Sequence, residues 1–293
     1  MKRTTMKKAA ILVTTVAVVL VGVLAVAQPD HPERNPQAVA AEAAFFDALN
    51  RDPSRRDAAV RELYDALRAD PRDARTNLWI GMAHFWIAAE GDRADPSHLA
   101  DLIVARHFLS RAAELDPRDT RIPSWLCSAE HAVALAEGNA AAAAAAEARL
   151  VEAARADPTF HSVALAIMRW NLPRDSEGFT EALDTLRNAA TADEADTSGV
   201  NMPRWPHNVE GFCLAAAQYE LRAGQTRRAA VLLNFAQEQP SFNTWPFRAL
   251  AERTMDDLPG LAARYADDDP TNDPPLVVGP RSGVSCRVCH QGP

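Results

Sequence analysis

The sequence predicts an all-α protein, and three observations support this prediction. From about residue 38 to residue 265, apolar residues recur at helical intervals, and the pattern breaks mainly at Pro, Gly and Asp. The same region shows no clear alternation of apolar and polar residues, which a half-buried β-strand would require. It is also rich in Ala, Leu and Arg, residues with high helix propensity.

The N-terminal segment has the pattern of an export signal. Residues 1–8 contain four basic residues and no acid, and residues 9–27 carry no charge. The uncharged run ends in Ala25-Val26-Ala27, a small-x-small sequence typical of signal-peptide cleavage sites. Its 19 residues are also long enough to cross a bilayer. Residues 1–27 are therefore predicted to be a signal peptide or an N-terminal membrane anchor, and everything after them is expected to be exported.

An internal repeat runs through the helical region, which follows a polar linker predicted at residues 28–37. The frame Ala-x3-Leu-x2-Ala-x4-Pro begins at Ala59, Ala105 and Ala146, with looser copies at Ala182 and Ala229. Ala and Leu at these intervals lie on one face of a helix, and the small Ala side chains let a second helix come close. The Asp-Pro pair that ends the first three copies is expected to stop each helix.

Segments that precede several copies place aromatic and small residues on one helical face, as at Trp79, Trp125 and Phe212. Together with the frame, this pattern resembles the tetratricopeptide repeat (TPR), a helix-turn-helix unit of about 34 residues. The resemblance covers roughly residues 40–260 and implies an irregular helical-repeat solenoid at residues 38–265, because the copies are unevenly spaced. It also implies that the concave face binds a peptide or a partner protein. A generic α-helical bundle is the alternative.

The character of the chain changes after the helical region. Residues 266–275 read ADDDPTNDPP, and two glycines follow before residue 286. This composition is typical of an extended linker, so residues 266–293 are predicted to be a Pro- and Asp-rich tether.

The tether ends in a Cys-x-x-Cys-His motif formed by Cys286, Cys289 and His290. This order is the attachment signature of c-type haem, in which two thiols form thioethers with the haem vinyl groups and the histidine ligates the iron. Export supports this interpretation, because such haem is attached outside the cytoplasmic membrane. One covalently bound haem c is therefore predicted. A bare Cys-x-x-Cys pair is otherwise a disulfide, a redox pair or part of a zinc site.

The second axial ligand of this haem is harder to predict. Only three residues follow His290, so the haem is expected to dock on an apolar surface of the helical body or against a second chain. Met202 and His207 are the candidate sixth ligands, because they lie in the irregular segment 191–207. An open position, or a ligand from another chain, is an equal alternative. The remaining candidates are expected to be core or surface residues: His31, His84, His98, His107, His131, His161, Met82, Met168 and Met255.

Charge excludes some classes of partner. The formal net charge is −8 at pH 7, and every basic residue after Lys8 is an arginine outside any basic cluster. These features argue against nucleic acid as a partner and against docking on anionic lipid, so a membrane is expected only at the N-terminal segment. Cys127 and Cys213 are predicted to be free core thiols.

These patterns leave three functional hypotheses. The first is an exported c-type cytochrome with one haem, located in the periplasm, on the inner membrane or outside the cell. It would transfer single electrons to a redox partner protein or a neighbouring copy of itself and would not be an enzyme. The alternative is a periplasmic TPR-like interaction scaffold whose terminal Cys pair is a disulfide or a metal site. A third, weaker hypothesis is a haem-based sensor or peroxidase-like protein.

Overall fold

The computed structural model describes residues 34–92, 95–119, 121–156, 158–195 and 208–269, together with the separate residues 273, 274, 277 and 288. Throughout these residues the regular secondary structure is helical, and they contain no β-strand. The prediction of an all-α fold is therefore confirmed.

The described chain forms twelve α-helices, and a short 3-10 helix at Pro53–Arg55 separates the first two. The α-helices are α1 (Pro36–Asn50), α2 (Arg56–Ala69), α3 (Ala74–Glu90), α4 (Pro96–Leu115), α5 (Ile122–Ala136), α6 (Ala140–Ala156), α7 (Pro158–Arg169), α8 (Glu177–Ala195), α9 (Val209–Arg222), α10 (Thr226–Gln237), α11 (Arg248–Asp256) and α12 (Leu258–Arg264). None of these helices is both long and apolar enough to cross a membrane, and the predicted export segment lies outside the described residues.

Consecutive helices pack in pairs. The pairs are α1 with α2, α3 with α4, α5 with α6, α7 with α8, and α9 with α10, and the two helices of each pair pack more extensively against each other than against any other helix. Each odd-numbered helix from α1 to α7 also contacts the next odd-numbered helix along the chain. After the last pair, α11 and α12 fold back, and α12 packs against both α9 and α10.

The repeat frame marks the second helix of every pair. Its five copies lie in α2, α4, α6, α8 and α10, and each central Leu is buried. Every Ala of the frame is also buried except Ala153, whose neighbour Ala154 is buried in its place. The prediction that these positions share one inward face is therefore confirmed.

Aspartate side chains define several helix ends. Asp70 and Asp116 are the C-caps of α2 and α4, as the Asp-Pro pairs predict. At the other end, Asp73 accepts a hydrogen bond from the Arg75 amide at 3.1 Å and caps α3. A carboxylate suits the position of Asp73 because it satisfies a backbone donor that the start of a helix leaves unpaired.

Two predicted boundaries differ from the structure. Helix α1 begins at Pro36, so the last two residues of the predicted linker form its first turn. Proline suits this position, because its fixed φ and missing N–H cost nothing at the start of a helix. Helix α8 continues to Ala195, although the irregular segment was predicted to start at Thr191. The residues in between contain no Pro or Gly that would end the helix.

The core has two large parts. An N-terminal core cluster joins α1 to α5 around the aromatic side chains of Phe45, Trp79 and Trp86. A C-terminal core cluster extends from α5 to α12 and contains Trp170 and Tyr219, and it also includes Val277 and Val288 from the tail. The described part of the tail therefore shares a core with the helices.

Gly81 allows α3 and α4 to pack closely. A Cβ atom at this position would lie 2.6 Å from Leu109 Cγ and 3.1 Å from the Ala105 carbonyl oxygen. We expect Gly81→Ala to lower the free energy of unfolding by about 1–3 kcal/mol, measured by denaturant unfolding. In a double-mutant cycle, Gly81→Ala should cost less stability when Leu109→Ala is also present than in the parent chain, because the shorter side chain at position 109 removes the clash. Strictly additive effects would rule out this steric explanation.

Candidate functional site

The predicted haem-binding residues Cys286, Cys289 and His290 lie outside the described residues, and so do the candidate sixth ligands Met202 and His207. Val288, which lies between the two cysteines in the sequence, is the residue of the motif that the structure describes. Val288 has helical conformation and is 0% exposed, and its side chain belongs to the C-terminal core cluster. Its contacts therefore show where this residue of the motif meets the helical body.

Two side chains hold the backbone of Val288. Its carbonyl oxygen accepts a hydrogen bond from Asn208 Nδ2 at 3.1 Å and another from Trp245 Nε1 at 3.3 Å. The indole nitrogen of Trp245 can only donate a hydrogen bond, and the bond to the Val288 carbonyl uses its one N–H. Both lone pairs of a buried carbonyl oxygen are thereby used, which fixes this peptide group on the helical body.

Asn208 can hold the tail because it also caps α9. Its Oδ1 accepts a hydrogen bond from the Gly211 amide at 2.6 Å, as expected of an N-cap residue. The opposite end of the same amide group then faces the Val288 carbonyl. The start of α9 and the tail are thus joined through one side chain.

An aromatic loop adjoins this contact. It connects α10 to α11 and carries Phe242, Trp245 and Phe247, whose neighbouring ring centroids lie 6.2 and 5.9 Å apart. Ser241 Oγ donates a hydrogen bond to Glu210 Oε1 at 2.5 Å, which ties the loop to the first turn of α9. Phe242 and Trp245 are buried with Val288 in the C-terminal core cluster. Val288 therefore belongs to an apolar core that includes aromatic side chains of this loop.

The described tail residues nearer to α12 also contact the helical body. The Val277 amide donates to Gln218 Oε1 at 2.8 Å. Asp268, which has a positive φ of 58°, accepts hydrogen bonds from the Arg174 amide at 3.0 Å and from Arg222 Nη2 at 3.0 Å. At these residues the tail is packed on the helices, whereas its composition predicts an extended tether.

Arg222 is the main charged contact of the tail. Its side chain is 0% exposed, and its guanidinium lies 4.9 Å from the Trp170 ring centroid and 5.2 Å from that of Phe179. Besides the bond to Asp268, Nε lies 3.9 Å from Asp273 Oδ2. Burial raises the pKa of the Asp273 carboxyl above its ordinary value, although the positive charge of Arg222 opposes this effect. Two tail carboxylates therefore compensate one buried cation.

Two histidines of the helical body, His84 and His161, bond to other side chains. His84 uses both ring nitrogens: Nε2 is hydrogen-bonded to the Tyr64 hydroxyl at 2.8 Å and Nδ1 to Asp101 at 2.7 Å. His161 is buried, and its Nδ1 pairs with the Ser124 hydroxyl. These rings link helices to one another, as expected for side chains within the helical body.

The described methionines fall into two groups. Met82 is buried in the N-terminal core cluster, as predicted for a core residue. Met168 and Met255 are partly buried against the C-terminal core cluster, which also contains Val288. They are therefore the described thioethers that share a core with the motif.

Both cysteines of the helical body are buried, as predicted for core residues, and Cys127 is a free thiol. Burial raises the pKa of the Cys127 thiol to about 11. This thiol is therefore protonated at neutral pH and is a poor nucleophile or metal ligand. Cys213 lies in α9, and its side chain is also buried.

Other features of the described residues offer little alternative chemistry. No group of three or more His, Cys, Asp or Glu side chains in the described part of the chain could hold a metal ion. A cleft of about 530 Å³ is lined by Arg174, Phe179, Arg187 and Asp268, among others. Its arginines are already paired, with Arg187 Nε lying 2.7 Å from Glu220 and Arg174 Nε 3.5 Å from Asp268.

Sequence reasoning did not identify the residues that hold the tail. Asn208, Gln218 and Trp245 carry no motif, and Arg222 has the pattern of an ordinary basic residue in the last turn of a helix. The available signal was weak: Asn208 is a typical N-cap residue placed just before an apolar helix.

No protein-family model matches this chain, and no curated protein or solved structure is detectably similar to it. Its function is therefore inferred from its own residues and their contacts.

Proposed function

We propose that this chain is an exported c-type cytochrome in which a helical-repeat scaffold carries one haem on its C-terminal tail. The observation that carries the proposal is the Cys286-x-x-Cys289-His290 sequence in a chain that begins with an export pattern. The packing of Val288 supports it, because a haem-bearing motif has to be held in a defined place to exchange electrons with a partner.

We further infer that the scaffold is an irregular TPR-like solenoid. Support comes from the five consecutive helix pairs and from the contacts between successive odd-numbered helices. In such an array the first helices of the pairs line one layer and the second helices line the other. The repeat frame, which is buried in every second helix, fits this arrangement.

The residues of the motif fit a haem chemically. Two thiols and an imidazole are the groups that covalent attachment and proximal ligation require. The two cysteines are three positions apart and the histidine follows directly, which is the spacing of the c-type haem attachment signature. Cys286 and Cys289 would hold the haem, and His290 would ligate the iron. The bound group would supply a one-electron couple, while Asn208 and Trp245 hold the carbonyl of Val288, whose side chain is buried.

The sixth ligand is proposed to come from the segment before α9. His207 directly precedes Asn208 in the sequence, and the side chain of Asn208 contacts Val288. Met202 lies farther back in the same segment. Carbon monoxide binding to the reduced protein tests this assignment. Binding would indicate an open sixth position, which the sensor or peroxidase-like hypothesis requires.

A count of haem and thiols tests the proposed function. The chain has four cysteines, so haem-loaded protein that is reduced and unfolded should titrate only the two thiols of Cys127 and Cys213. Its pyridine haemochrome spectrum should show one covalent haem per chain. A colourless protein that titrates four thiols after reduction and metal chelation would instead support the scaffold hypothesis.

A further inference from the structure

The tail contacts α9 or its N-cap residue at three separate positions. Asp268 and Asp273 contact Arg222, the last residue of α9, and Val277 contacts Gln218 one turn earlier. Val288 contacts Asn208, which caps the first turn. The order of these contacts along the tail is the reverse of their order along α9.

We propose that α9 is a docking track for the chain's own C-terminal tail, which binds it in the antiparallel direction. The ligand of this track is the tail between Asp268 and Val288, which contacts the track through Asp268, Asp273, Val277 and Val288. Arg222, Gln218 and the Asn208–Trp245 pair are positioning residues for the motif. Only the statement that the tail carries haem rests on the proposed function, because the docking involves protein groups alone.

At the C-terminal end of α9, the tail is bound through complementary charges. Arg222 is buried among aromatic rings, and the described carboxylates that it contacts come from the tail. A buried guanidinium is costly without a compensating negative charge. The acidic start of the tail is therefore required at the C-terminal end of α9, and the tail is held there by a contact that solvent screens little.

Farther along α9 and at its N-terminal end, the tail is bound through hydrogen bonds to its backbone. The Val277 amide and the Val288 carbonyl are main-chain groups of buried residues, and each is paired with a side chain of the helical body. Such groups cost free energy when they are buried without a partner. The tail is thus recognised through its backbone at two points, as an extended peptide ligand would be.

The track has a consequence for partner binding. The TPR resemblance implies that the concave face of the array binds a peptide or a partner protein, and α9 belongs to the last of the five helix pairs. The described tail residues contact Arg222 at the end of α9, Gln218 one turn earlier and the N-cap residue Asn208. An external partner is therefore expected to use the earlier repeats or to compete with the tail.

Amide exchange of the full-length chain, followed by NMR, tests the track. The measurement uses the haem-free Cys286→Ser/Cys289→Ser chain, so that its outcome is independent of haem attachment. We expect the Val277 amide to exchange more slowly than in an unstructured peptide, and Gln218→Met to accelerate it about fivefold or more, because the donor loses its acceptor. Amides of α3 should keep their protection. The matched control Gln237→Met, at an exposed position of α10, should change neither.

A second variant keeps the test decisive if Gln218→Met unfolds the chain. Asn208→Asp retains the acceptor that caps α9 but replaces the donor to the Val288 carbonyl with a carboxylate. We expect the carbonyl 13C chemical shift of Val288 to change, because this carbonyl loses a donor, while the amides inside α9 keep their protection. An unprotected Val277 amide in the parent chain, or a Val277 exchange rate and a Val288 carbonyl shift that neither substitution alters, would overturn the docking track. The haemochrome result alone decides the proposed function.

Discussion

Replacing Arg222 with methionine is expected to lower the free energy of unfolding by about 3–5 kcal/mol. Methionine keeps much of the side-chain volume between Trp170 and Phe179 but removes the charge. Asp273, which is 2% exposed, would then be buried without its cation, and the Asp268 contact would be lost as well. Denaturant unfolding of the variant and the parent measures the difference.

The pH dependence of this loss identifies its cause. Burial already raises the pKa of Asp273, and removal of Arg222 should raise it further. A carboxyl whose pKa is higher in the folded state penalises folding above its unfolded pKa of about 3.9, and the penalty disappears as the pH falls toward that value. The deficit of Arg222→Met should therefore shrink as the pH is lowered from 7 toward the unfolded pKa of the carboxyl.

The control for this prediction is Arg228→Met. Arg228 is 58% exposed and lies 3.9 Å from Glu220, so it forms only a weak surface pair. Its replacement should change the stability by less than about 0.5 kcal/mol. Equal losses in the two variants, or a deficit of Arg222→Met that does not depend on pH, would contradict a role for Arg222 in compensating the tail carboxylates.

The helical framework was predictable because its signals are local. The burial of Leu63, Leu109 and Leu150 follows from the spacing of Ala and Leu within single helices. The helix ends at Asp70 and Asp116 follow in the same way, because a proline after each aspartate disfavours helical conformation. These features require no knowledge of which helix packs against which.

The docking of the tail was not predictable, because it depends on residues far apart in the sequence. Asn208 lies 80 positions from Val288, and Trp245 lies 43 positions from it. An acidic, proline-rich composition favours an extended and solvated chain, and the contact with the buried Arg222 opposes this preference. The motif itself could be found from five residues, whereas its supporting contacts could not.

Replacing both Cys286 and Cys289 with serine is expected to abolish covalent haem while leaving the fold intact. Serine hydroxyls do not form the thioethers that attachment requires, so the unfolded variant should retain no haem absorption after acid extraction with organic solvent. The described contacts of Val288 use its backbone carbonyl and its own side chain, neither of which this substitution changes. The midpoint of denaturant unfolding should therefore stay close to that of the haem-free parent.

Two further variants separate attachment from iron ligation and from general damage. The pair Cys127→Ala and Cys213→Ala removes the buried thiols of the helical body, so it should lower stability through cavities but keep covalent haem. His290→Ala should lose the proximal imidazole and shift the absorption spectrum of the iron, although haem attached to the two cysteines survives extraction. If haem persisted covalently without Cys286 and Cys289, or never bound to the parent chain, the terminal motif would have to be a thiol pair. The function would then rest on the helical scaffold alone.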